Sequence, residues 1–106
     1  MRAPPPPRVR PEQCVLIPCA GRVEPILPDG EKEIAELLEI AQDDLTSLDY
    51  GVGGKSRVWM SRSRQRDREA PVNRAVSHGL KLNGLDLAIR GPAIVHHQEL
   101  DLDARH

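Results

Sequence analysis

The chain of 106 residues has the length of one domain, and its 39% hydrophobic residues can form a core of modest size. No apolar run approaches the ~20 residues of a membrane span, and the N-terminal sequence lacks the apolar region of a secretory signal. We therefore expect a cytoplasmic protein without a membrane partner. The formal net charge of −1 argues against a uniformly basic nucleic-acid-binding domain.

Charge is unevenly distributed along the chain. Residues 24–49 contain nine acidic residues and one lysine, which is net −8. Residues 55–74, called the basic strip below, contain seven basic and two acidic residues, which is net +5. This asymmetry indicates one surface for an anionic partner more clearly than the overall balance does.

The first predicted strands follow a proline-rich start. Residues 1–13 are typical of a flexible tail, a single domain is predicted over 14–100, and 101–106 is expected to fray. "CVLIP" is a short apolar run suited to a buried strand, and "RVEPIL" predicts a return strand. Pro25 indicates that the return strand lies at a sheet edge, since proline cannot donate to a strand ladder.

A long amphipathic helix is predicted over about 30–45, with Asp29 as its N-cap. Its apolar residues recur at helical spacing, and they are Ile34, Leu37, Leu38, Ala41 and Leu45. A short strand is then expected to end near Tyr50. The following "GVGGKS" is interpreted as a hairpin turn, because a phosphate-binding loop would need a glycine where Asp49 stands.

"SRVWMS" predicts a strand, and the next stretch, "SRSRQRDRE", has an arginine at every second position. These residues are Arg62, Arg64, Arg66 and Arg68. In an unbroken strand they would share the face of Val58 and Met60, and a core cannot absorb unpaired guanidinium groups. We therefore expect the strand to end near Ser61 and to pass into a mobile basic loop.

The C-terminal third predicts one short helix and more strand. The short helix is expected over about 71–79, with Asn73 either as a structural turn or cap or as a possible ligand residue. Arg74 is predicted either to pair with the long helix over 30–45, called the acidic helix below because it carries acidic residues beside its apolar stripe, or to bind an anionic ligand. "LDLAIR" alternates as a strand, and "AIVHHQEL" predicts a final strand. The fold class is therefore α+β, a small, mostly antiparallel sheet of four to five strands with one long and one short helix.

The order of these pieces resembles a small domain family of unknown function found mainly in phage, plasmid and bacterial genomes. The similarity covers about residues 14–97 and lies in "CVLIPCAGRVEPI", "EIAELLEIAQ", "APVNRAV" and "LDLAIRGPAIVH". Pro71, Asn73, Arg74 and the 91–95 run are its distinctive matches, whereas the proline-rich start and the arginine run depart from the family pattern. The resemblance implies a mobile-element context and no particular chemistry.

The sequence offers no cofactor, metal or catalytic motif. Cys14 and Cys19 are too far apart in an extended segment for a disulfide, and no further ligands lie nearby at zinc-site spacing. The adjacent His96 and His97 would point to opposite faces of a strand. No nucleophile and base pattern occurs, so we expect a protein that is not an enzyme.

Three functional hypotheses follow. The first is a binding module whose basic strip contacts nucleic acid, a nucleotide or an acidic protein surface. Its candidate residues are Arg62, Arg64, Arg66, Arg68 and Arg74. The second is an oligomeric phage-type inhibitor or nucleotide-sequestering protein. The third is a self-associating structural protein that pairs its acidic helix with its basic strip.

Overall fold

The computed structural model describes residues 13–97, which form a five-stranded antiparallel sheet with helices on both faces. The sheet has the strand order β2-β1-β5-β4-β3. The strands are β1 (Gln13–Ile17), β2 (Glu24–Ile26), β3 (Leu45–Tyr50), β4 (Ser56–Ser61) and β5 (Ala93–His97). The α+β class and the antiparallel sheet are confirmed. The predicted tail over 1–13 falls almost entirely outside the described residues, and the predicted C-terminal segment 101–106 falls wholly outside them.

Three helices connect the strands. They are α1 (Glu31–Leu38), α2 (Arg62–Gln65) and α3 (Arg74–Leu82), with 3-10 turns at Gln42–Asp44 and Val52–Gly54. None of the helices within residues 13–97 is long and apolar enough to cross a membrane.

The sheet buries an apolar cluster on each face, because successive strand residues alternate sides. On one face, Trp59 and Ile94 lie opposite each other on β4 and β5 and pack with Ile34 and Leu38 of α1. The residues on the other face include Val58, Met60, Ala93 and, from α3, Val76 and Leu80. Helices thus cover both faces of the sheet, and no further strand of residues 13–97 pairs with its edge strands β2 and β3.

Both predicted hairpins are confirmed. β1 pairs with β2, and Val15 lies opposite Pro25, which is on an edge strand as predicted. β3 pairs with β4 over six residue pairs across the glycine-rich turn. That turn bends through Gly51, Gly53 and Gly54, all at positive φ, and strand β4 rather than a helix follows it.

The long helix is confirmed only in part. α1 ends at Leu38, since Glu39 takes a left-handed conformation (φ 61°) and its backbone N–H bonds to the carbonyls of the last turn. Leu45, predicted to lie on the helix, is the first residue of β3. Gly30 rather than Asp29 is the N-cap, and the Asp29 backbone N–H donates to the Glu33 carboxylate.

The prediction of a strand at "LDLAIR" is wrong. Residues 85–89 form no strand, and Arg90 makes only an isolated bridge to Val72. The backbone groups of Ile89 bond elsewhere: its N–H donates to Ser77 Oγ (2.9 Å), and its carbonyl accepts from the Asn73 N–H (2.7 Å). The segment therefore lines the core beside α3 without joining the sheet.

Candidate functional site: an anchored arginine segment

The arginine segment, residues 62–70, begins where β4 ends. Ser61 is the N-cap of α2, and its hydroxyl accepts a hydrogen bond from the Arg64 N–H (3.2 Å). The same hydroxyl donates to Asp44 Oδ2 (2.5 Å), while Ser63 donates to that carboxylate through both its N–H and its hydroxyl (2.9 Å each). The turn before β3 thus holds the start of the arginine segment.

The serine hydrogen bonds also lower the pKa of Asp44. The Ser61 hydroxyl is the largest cause of a lowered pKa of this carboxyl, and the Ser63 donors and the positive charge of Arg62 act in the same direction. Partial desolvation opposes them. Asp44 is therefore a carboxylate at neutral pH. It accepts hydrogen bonds from serine donors and forms no ion pair with an arginine of the described chain.

A second anchor joins the segment to the chain before β5. The Gln65 side-chain amide donates to the carbonyls of Ser61 and Arg90 (both 2.9 Å) and accepts from the Arg90 N–H (2.8 Å). Arg90 in turn donates through Nη1 to the carbonyls of Ala70 (2.7 Å) and Arg68 (3.3 Å). The Gln65 side chain therefore bonds to backbone carbonyls before the segment and at Arg90, and the Arg90 side chain bonds to the carbonyls at the end of the segment.

The four arginines do not share one environment. Arg62, Arg66 and Arg68 are exposed, whereas Arg64 is partly buried. The Arg64 stem lies over Gly91, where an added Cβ would be 2.8 Å from Arg64 Cδ, and its enclosed Nη1 has no hydrogen-bond partner among the described residues. Three guanidinium groups thus face solvent, and the fourth covers the backbone that precedes β5.

Arg74 is also exposed, as the first residue of α3. Its predicted pairing with the acidic helix does not occur, because α1 and α3 pack on opposite faces of the sheet. Over residues 13–97, no carboxylate forms an ion pair with Arg62, Arg66 or Arg68 either. Within that part of the chain, the acidic helix therefore forms no ion pair with Arg62, Arg66, Arg68 or Arg74.

Asn73 is fully buried and all of its polar groups are bonded. Its Oδ1 accepts from the Val76 N–H (3.3 Å), which caps α3, and its Nδ2 donates to the carbonyls of Ile17 (2.8 Å) and Gly91 (3.1 Å). Its backbone carbonyl accepts from the Ser77 hydroxyl (2.8 Å). The structure thus gives Asn73 the capping role, and its side chain joins β1 and α3 to the backbone that precedes β5.

The end of β4 at Ser61 is confirmed, but the expected mobile basic loop is instead a one-turn helix followed by a hydrogen-bonded turn. Asp67 Oδ1 accepts from the Glu69 N–H (2.9 Å) within that turn. Sequence reasoning missed Asp44, Gln65 and Arg90 as anchors. The spacing of the arginines carries no information about them, because their partners lie 17–25 residues away.

The histidines and cysteines do not cluster. No group of three His, Cys, Asp or Glu side chains within the described part of the chain is arranged to hold a metal ion. His97 Nδ1 lies 2.8 Å from Ser56 Oγ, and Cys14 and Cys19 form no disulfide.

Comparison with known proteins gives no match to a family model, to a curated protein or to a solved structure. The resemblance to a phage and plasmid domain family, and the mobile-element context it implies, therefore stay predictions.

Proposed function

We propose that the chain is a non-enzymatic binding module that contacts an anionic partner through the basic strip. The observation that supports this proposal is that the arginine segment has an ordered backbone and exposed guanidinium groups. Its backbone is fixed by side-chain hydrogen bonds, while Arg62, Arg66 and Arg68 point to solvent without a carboxylate partner among residues 13–97. Arg74 adds a further exposed guanidinium, and Arg64 a partly exposed one.

Anchoring matters for affinity because ordering a flexible segment on binding costs free energy. A segment whose backbone is already fixed loses less freedom when its guanidinium groups bind. Arginine also presents forked donors that match carboxylate and phosphate oxygens in pairs.

The same surface gives little means of reading a base sequence. Trp59 is 7% exposed beneath α1, and Tyr50 is partly buried, so the described residues offer no exposed tryptophan, tyrosine or phenylalanine ring on which a base could stack. Contacts would be to a charged backbone or to acidic side chains. Binding is therefore expected to depend on charge and salt more than on sequence.

The test is a titration of a fluorescently labelled 20-base-pair DNA duplex, and separately of a labelled glutamate-rich peptide, across a salt series. The variant R62A/R66A/R68A removes three charges from the segment, and the matched control R22A/K32A/K81A removes three charges elsewhere. We expect at least tenfold weaker binding for the first variant, with a salt slope reduced by about 3 if three phosphates are contacted. The control should keep most of the affinity.

The two probes separate the partner classes. Arginine-dependent binding of the duplex alone identifies phosphate, and arginine-dependent binding of the peptide alone identifies an acidic protein surface. Equal affinities for the variant and the control would refute the proposal, as would the absence of binding to both probes.

A further inference from the structure

The two edges of the sheet differ in how they are protected against another strand. β2 is three residues long, contains Pro25 and carries Glu24, and all of these features block strand addition. β3 forms the opposite edge with six residues, LTSLDY, and contains no proline, glycine or lysine. Its outer row of backbone N–H and carbonyl groups faces no strand of the described chain.

The charge on β3 is already neutralised within the chain. Asp49 lies directly opposite Arg57 on β4, with 2.6 Å between Asp49 Oδ1 and Arg57 Nε. This ion pair holds the pKa of Asp49 below its ordinary value, mainly through the Arg57 hydrogen bond. Arg57 also lies over the Trp59 ring at 5.4 Å from its centroid. The edge thus lacks the unpaired charges that commonly keep edge strands apart.

We propose that β3 pairs antiparallel with β3 of a second copy of this chain, forming one continuous ten-stranded sheet. This inference is independent of the proposed anion binding. A two-fold axis perpendicular to the sheet relates the copies, so residues opposite each other share a face. The axis lies at Leu48, which then faces Leu48 of the second copy, while Ser47 faces Asp49 and Thr46 faces Tyr50.

Self-complementarity selects this register among its neighbours. A shift that centres the axis on Asp49 would place two carboxylates directly opposite, which is destabilising. A shift that centres it on Ser47 would place Asp49 opposite the buried Leu45. With Leu48 at the centre, the Ser47 hydroxyl can donate to Asp49 across the seam, at both symmetry-related positions.

The apolar residues of the edge favour the same register. Leu48 and Tyr50 are partly buried and pack at the margin of the cluster that α3 covers. Leu48 against its own copy, and Tyr50 against Thr46, would cover the sides that remain open. Pairs of aromatic with β-branched residues are among those that stabilise antiparallel strands.

Cysteine crosslinking tests the register. In a Cys19→Ser background, Leu48→Cys places two thiols directly opposite across the axis, at a Cα separation of about 4.5–5.5 Å that permits a disulfide. Thr46→Cys is the matched control on the same face, because its two copies would be offset by four residues, about 13 Å along the strand. Mild oxidation at 100 μM protein should give a covalent dimer of the first variant and not of the second. Equal crosslinking of the two, or none of Leu48→Cys, would overturn the register.

A charge pair at Ser47 tests the dimer without crosslinking. Ser47→Asp would face Asp49 of the second copy and should weaken self-association at least tenfold, whereas Ser47→Lys at the same position should preserve or strengthen it. Sedimentation equilibrium from 10 μM to 1 mM measures both, and thermal unfolding checks that each variant folds. A wild-type chain that stays monomeric throughout refutes the proposal, and so do equal dissociation constants for the two folded variants.

Discussion

Replacing Asn73 by alanine should destabilise the chain strongly, because this one buried side chain bonds to three elements of the fold. The change removes the α3 cap, which contributes about 1 kcal/mol. It also removes the donor to the carbonyls of Ile17 (2.8 Å) and Gly91 (3.1 Å). Because the Asn73 side chain is 0% exposed, water cannot replace that donor in the folded state. At the lower end of the usual cost, about 1 kcal/mol for each carbonyl, the loss totals about 3 kcal/mol of a stability that is typically about 5–15 kcal/mol.

Urea denaturation followed by fluorescence measures this loss, because Trp59 is the single tryptophan and is buried in the core. Asn83→Ala is the matched control: Asn83 caps the other end of α3 and donates to the Gly79 carbonyl (2.8 Å), but it is exposed. We expect the control to lose less than about 1 kcal/mol.

Asn73→Asp separates the two parts of the argument. Aspartate caps a helix as well as asparagine does, but it cannot donate to the carbonyls of Ile17 and Gly91. It should therefore destabilise the chain at least as much as alanine. If Asn73→Asp were neutral, or if alanine cost under about 1 kcal/mol, the role of Asn73 in joining three elements would be wrong.

Three further predictions concern two anchors of the arginine segment and the contact between Arg64 and Gly91. Gln65→Ala should speed native-state tryptic cleavage within the arginine segment about tenfold, since losing ~1.4 kcal/mol of local hydrogen bonding raises the population of the open form by that factor. The control Gln42→Ala truncates an exposed glutamine and should leave the cleavage rate unchanged. Equal cleavage rates for the two variants would count against the role of Gln65 as an anchor. Because the folded-state pKa of Asp44 is depressed, its stabilising contribution is present above the unfolded pKa of about 3.8 and is lost as pH falls through the folded pKa. The urea midpoints at pH 7 and pH 3 should therefore differ less for Asp44→Asn than for the wild type. The same difference in both proteins would contradict a stabilising role of the Asp44 carboxylate. Gly91→Ala should lower the free energy of unfolding by about 1–3 kcal/mol through its positive φ (84°), and further through the contact of the new Cβ with Arg64. Arg64→Ala should therefore relieve part of this loss in a double-mutant cycle. Strictly additive losses would show that no steric contact couples the two residues.

Local patterns predicted most of the sheet but little of what joins its parts. β1, β2, β4 and β5 follow from apolar runs, turn residues and Pro25, each of which acts within a few residues. The end of β4 followed from an electrostatic argument: Val58 and Met60 face the core, and a continuous strand would have carried arginines onto the same face.

The two errors in the predicted elements have different physical causes, one local and one that acts over longer distances. The helix ending at Leu38 could have been foreseen, because Asp43 and Asp44 would have placed negative charge at a helix C-terminus, where the dipole disfavours it. "LDLAIR" could not have been resolved from its alternation, since Ser77, Asn73 and Gln65 take up the backbone groups that a neighbouring strand would have needed. The anchors of the arginine segment were not predicted for the same reason, because their hydrogen bonds join residues that are far apart in the sequence.

The Gln65 side chain bonds to Arg90 as a peptide group would, with one donor and one acceptor, across 25 residues of sequence. We therefore expect the second half of the arginine segment to become ordered only after Arg90 has been synthesised, whereas the bonds from Ser61 and Ser63 to Asp44 can form earlier. Arg66 and Arg68 are then expected to lie in an unfixed stretch until Arg90 is in place. A refolding experiment that follows Trp59 fluorescence and polyanion binding together would then find that competence for binding arises late, with the last strand of the sheet.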